Sequence, residues 1–157
     1  MPSIKFSTLL FCLFLLYFHS VQVQPTVLSL DEAKSSGIDI SQLDEQYPAA
    51  TSFNPKEGVF RDDQSEFLIE YQKLLRKIGI DLYRAGIEWG ENTMFVHRIY
   101  FSEDGSVGYF LFGTSSEEID NDIIRDYLIE LSREYSFPIE SETKFRQCAT
   151  APMRVGI

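Results

Sequence analysis

The hydrophobic period of this chain changes at Trp89-Gly90, and that change limits the fold more than any other feature. Before it, Phe67, Leu68, Tyr71, Leu74, Leu75, Ile78, Leu82 and Ala85 recur at the spacing of one face of an α-helix. After it, residues 94–101 and 107–112 are rich in β-branched and aromatic side chains, as strands are. Side chains alternate across a strand, so Phe95, His97, Ile99 and Phe101 share one face and Met94, Val96, Arg98 and Tyr100 the other. Both faces are apolar enough to be expected under partial cover.

Turn and cap chemistry sets the boundaries. Asp63 and Glu66 have capping-box spacing at the start of the first helix, and Gly86 suits the position just past its end. Between the strands, Ser102-Glu103-Asp104-Gly105-Ser106 supplies a hairpin turn in which Gly105 can take positive φ. A second helix is expected from a Ser115 cap with Glu118 reaching back, through the stripe Ile119, Ile123, Tyr127, Leu128, Leu131 and Tyr135, to Pro138. A last strand is predicted over residues 143–151, with Pro152 suited to an edge. Residues 62–157 therefore read as one α+β domain of order α-β-β-α-β, a small three-stranded, mainly antiparallel sheet packed against two helices. Residues 24–61 show no sustained period and are punctuated by Pro25, Pro48 and Pro55, which predicts an irregular N-terminal arm with a turn of helix around residues 29–35.

The first 23 residues read as a signal peptide. Lys5 precedes an unbroken apolar run over residues 8–18, and a more polar exit follows. That run is short of the roughly 20 apolar residues a membrane span needs. Export to a secreted or periplasmic location with cleavage is the expectation, and an uncleaved anchor the alternative. Cleavage would remove one charge, Lys5, taking the net charge from −10 to −11, and would remove Cys12, leaving Cys148 as the last of the two cysteines. A lone cysteine is either a small buried hydrophobe, the favoured reading, or a thiol open to intermolecular pairing. The surplus of acid argues against nucleic acid and anionic lipid as partners, because both reward Lys and Arg.

No residue pattern points to catalysis. His97 is the one histidine beyond the signal and lies in an apolar strand face, where a hydrogen-bonded core histidine is the expected role. Glu117, Glu118, Asp120 and Asp122 lack the glycine and the closing glutamate of a calcium loop, and acids there suit the start of a helix. Phosphate-binding glycine loops and C-x-x-C pairs are absent from the sequence. The expectation is a protein without catalytic residues, metal site or small-molecule cofactor.

Arg84-Ala85-Gly86-Ile87-Glu88, a β run closing on Tyr100-Phe101, Asp104-Gly105-Ser106-Val107, then Ser115-Ser116, Ile119-Asp120 and Phe137-Pro138 together resemble the C-terminal domain of TonB over residues 64–155. That family's Tyr-Pro opening stands far upstream here, as Tyr47-Pro48. The resemblance implies an α-β-β-α-β fold and capture of a protein or peptide partner, such as an envelope membrane protein, by pairing with a sheet edge. On this reading the edge is the last strand, with Phe145, Gln147, Cys148 and Thr150 as partner-binding residues and Gln147 at its centre. Self-association through Cys148 and the aromatics Trp89 and Tyr109 is the alternative.

Overall fold

The computed structural model describes residues 24–54, 57–90 and 93–153; the expected signal peptide lies outside them. In chain order the elements are β1 (Thr26–Ser29), α1 (Leu30–Ser35), α2 (Ile40–Gln46), α3 (Gln64–Arg84), β2 (Met94–Phe101), β3 (Val107–Thr114), α4 (Asn121–Glu134) and β4 (Phe145–Pro152). The fold is α+β, but its sheet has four strands rather than three, in the order β1-β3-β2-β4. β2 pairs antiparallel with β3 and β4, and β1 pairs parallel with β3, so the sheet is mixed. Among the described residues no helix is long and apolar enough to cross a membrane.

Two helical layers enclose the sheet. On one face α3 buries Phe67, Tyr71, Leu74, Ile78 and Leu82, and α4 buries Ile124, Leu128 and Leu131, against Phe95, Ile99, Phe101, Phe110, Phe112 and Phe145. Aromatic rings fill the centre of this layer: Phe101 stacks on Phe145 at 4.9 Å, and Phe60 meets Phe145 edge-on at the same separation. α3 ends as Gly86 donates to the Tyr83 carbonyl and Ile87 to that of Leu82, the paired bonds of a Schellman turn. On the other face Ala33 of α1, Leu43 of α2 and Tyr47 close over Tyr100 and Leu111.

That second layer is built from residues 24–61, where the turn of helix expected around residues 29–35 is α1, while β1 and α2 replace what was expected to be irregular arm. Ser29 caps α1 in a full capping box with Glu32, and Asp39 caps α2 by accepting from the Ser41 and Gln42 amides. Two further boundaries move, and one expected cap bond is not made. Asp63 stands at the N-cap of α3 but makes no side-chain cap bond. α4 begins at Asn121 behind an Asp120 cap, not at Ser115, and its inward residue is Ile124 whereas Ile123 is exposed. The closing strand runs Phe145–Pro152.

Candidate functional site

A sheet of this kind has two edges, and the two are not equally open. β1 is four residues long, and Arg125 of α4 pairs with Glu32 of α1 at 2.7 Å, joining the two helical layers at its C-terminal end. β4 is eight residues long and has β2 on one side only.

The unpaired side of β4 can be mapped residue by residue. Arg146 directs its backbone away from β2: its amide donates to the Pro48 carbonyl and its carbonyl accepts from the Ala50 amide. Main-chain groups on an antiparallel strand alternate between the two sides, so Phe145, Gln147, Ala149 and Ala151 bond to β2 while Cys148 and Thr150 face outward. The Met153 amide, in step with the first set, donates to the Thr93 carbonyl of the β2 side. The segment that covers Arg146 departs after Ala50, which leaves the amides and carbonyls of Cys148 and Thr150 without a backbone partner among the described residues. Pro152 lacks an N–H and closes the open stretch.

This geometry divides the four expected binding residues. Cys148 and Thr150 are exposed and present both main chain and side chain. Phe145 is fully buried in the core and cannot touch a partner, a consequence of its place among Phe60, Phe67, Phe101 and Phe137. Gln147 is half-buried with its main chain committed to β2. A proline at Gln147 would therefore disrupt the sheet and is not a probe of the edge.

Beside the open stretch lies a groove of about 400 Å³, lined by Cys148, Gln147, Arg98, Arg146, Asp44 and, across from them, Phe53 among others. Arg98 donates from Nη1 to Asp44 Oδ2 at 2.8 Å, and Arg146 Nε lies 3.1 Å from Asp44 Oδ1. Tyr100 donates to the same carboxylate at 3.0 Å, and Arg146 Nη1 also donates to the carbonyls of Asp44 and Tyr47. Two guanidiniums thus share one carboxylate, leaving one positive charge in excess. Phe53 is fully exposed. None of these groove residues beyond β4 was singled out as a site from the sequence, because they come from α2, the following loop and β2 and meet only once the sheet register is set.

Cys148 is exposed rather than the buried hydrophobe expected. Desolvation by its surroundings nonetheless pushes its thiol up, outweighing the pull of Arg98 and Arg146, so Sγ stays protonated at neutral pH and is a poor nucleophile. His97 is fully buried, with Nε2 hydrogen-bonded to the Tyr71 hydroxyl. Burial holds its pKa down to about 4, against a weaker opposing pull from the Phe95 backbone, which lies outside hydrogen-bond geometry of Nδ1. Among the described residues no group of three His, Cys, Asp or Glu side chains is placed to hold a metal ion. No family model, curated protein or solved structure matches the chain.

Proposed function

We propose that this chain is a non-catalytic binding module of a secreted or periplasmic compartment that takes up an extended segment of a protein partner along β4. The observation that carries the reading is the outward, unpartnered main chain of Cys148 and Thr150 beside an open groove. An added strand can exchange up to four backbone hydrogen bonds with those two residues, and such main-chain pairing with an exposed sheet edge is a general mode of peptide recognition. The resemblance to the TonB C-terminal domain supports the same mode, and the basic head and apolar run of the N-terminus support export.

Thr150→Pro tests it. The Thr150 amide is not part of the β2 ladder, so its loss leaves the sheet bonds in place while removing a donor from the open edge. Tagged wild-type protein and the variant are each used to retain partners from the native envelope fraction, and the retained proteins are identified by mass spectrometry. The expected result is that T150P melts within a few degrees of wild type, the behaviour of a substitution outside the core, and loses the partner that wild type holds. An unchanged set of retained proteins would overturn edge pairing.

One observation favours a second reading: the exposed Cys148 lies in the same open stretch, where an identical strand from another copy would meet it. Trp89 and Tyr109 do not support it as aromatic anchors, since both are half-buried and Tyr109 packs on Tyr47 and Tyr100. Sedimentation velocity with and without reductant decides the matter. Self-association predicts a dimer under oxidising conditions, and a strict monomer in both buffers ends this reading.

A further inference from the structure

We propose that the β4 groove selects an acidic segment: the residue of the bound strand opposite Cys148 carries a carboxylate that pairs with Arg98 and Arg146. This rests on the edge-pairing reading and names what the edge would accept.

The argument begins with register. Arg98 and Cys148 are directly opposite each other on β2 and β4, so their side chains share a face. A residue placed opposite Cys148 on an added antiparallel strand points to that same face, with its Cα about 5.5 Å from that of Cys148. A Glu or Asp there reaches toward the two guanidiniums across the width of one strand. Arg146 is on this face as well, in step with Cys148, and its side chain is about four-fifths buried against α2 and the carbonyls it holds. The guanidinium positions are thus fixed in advance, which lowers the ordering cost of a carboxylate contact.

Charge decides which ligand the site favours. The chain as a whole is acidic, with a net charge of −10, so most of its surface repels an acidic peptide. At this groove the balance reverses, because Asp44 is the one carboxylate paired with Arg98 and Arg146 among the described residues. The protonated thiol of Cys148 contributes no opposing charge. A carboxylate accepts charge-assisted bonds from Arg, whereas a lysine of the partner would meet like charge.

Three acetylated and amidated heptapeptides, Thr-Val-Thr-X-Thr-Val-Thr with X as Glu, Gln or Lys, test this on the full chain. Amide resonances of Cys148 and Thr150 report edge pairing, and titration gives each affinity. The Glu peptide is expected to bind about tenfold more tightly than the Gln peptide, the scale of one charge-assisted bond, with Lys weakest. In Arg98→Gln the Glu-to-Gln ratio is expected to fall toward one, with a melting curve run alongside to show the variant folded. Equal binding of all three with Cys148 and Thr150 perturbed would overturn the acidic preference and leave edge pairing standing. Absence of binding by all three at millimolar concentration would overturn both.

Discussion

Alanine at Gly105 is expected to destabilise the fold by about 3 kcal/mol, whereas alanine at Gly37 is expected to cost only about 1 kcal/mol. Both glycines have φ of 79°, a left-handed conformation that a Cβ disfavours. They differ in what surrounds them. At Gly37 a Cβ meets nothing within 4 Å; at Gly105 it would lie 2.3 Å from the Phe137 carbonyl oxygen and 3.0 Å from its nitrogen. The obstacle is backbone and cannot swing aside. Phe137 donates its amide to the Gly105 carbonyl, and Ser136 Oγ donates to the Asp104 carbonyl, so the hairpin turn is pinned to the segment following α4. Moving that segment also displaces the buried Phe137 ring from Phe67, Phe101 and Phe145. Urea denaturation of the two variants isolates the contact, because the conformational cost is common to both. Equal losses of stability would show that the turn yields without disturbing Phe137.

The positive φ of Gly105 was legible in the sequence because a turn is a local constraint, whereas its contact with Phe137 was not. A five-residue turn between two β-rich runs announces a hairpin whatever packs around it. The α3 stripe was legible for the related reason that five buried residues from Phe67 to Leu82 keep one period over many turns. In residues 24–61 the turn of helix at α1 was legible but β1 and α2 were not, since they span four and seven residues and neither is long enough to display a period. Such short helices hold by capping and by packing on the sheet rather than by propensity. One signal was nevertheless available. Tyr100 and Leu111 lie on the opposite face from Ile99 and Phe110, so the strand pair needed a second covering layer, and the unassigned residues before α3 were placed to supply it.

The candidate site shows the same division. Pro152 marked the last strand as an edge from sequence alone, and β4 is an edge strand. Which of its residues look outward depends on its pairing with β2, and a shift of one residue exchanges the two sets. That is why Phe145 and Gln147 were grouped with Cys148 and Thr150, and why the Arg98, Arg146 and Asp44 cluster escaped notice.

Acidification to pH 5 is expected to remove about 2 kcal/mol of stability through His97 alone, with roughly 3 kcal/mol lost once pH is below both of its pKa values. The imidazole titrates near 6.5 in an unfolded chain and near 4 in the fold, where it is fully buried and the Tyr71 hydroxyl, itself pushed up by burial, remains protonated as its partner. Between those values the unfolded state holds the extra proton, so stability is complete above about pH 6.5 and declines as pH falls toward 4. Glu32, Asp81 and Asp104 titrate in a different window. Hydrogen bonds from the Ser29 backbone, Lys77 and Ser106, respectively, lower their carboxyls below 4.5, 3.8 and 3.8, so their contributions are present above those values and fade only in stronger acid. Denaturation midpoints from pH 7.5 to 5 therefore read His97 with little interference. His97→Gln is expected to be less stable than wild type at pH 7.5, because it trades a ring packed against Phe95 and Tyr71 for a flexible amide, yet its midpoint should be nearly independent of pH across this range. A slope in H97Q equal to that of wild type would place the titrating group elsewhere and would mean that the core accepts the imidazolium.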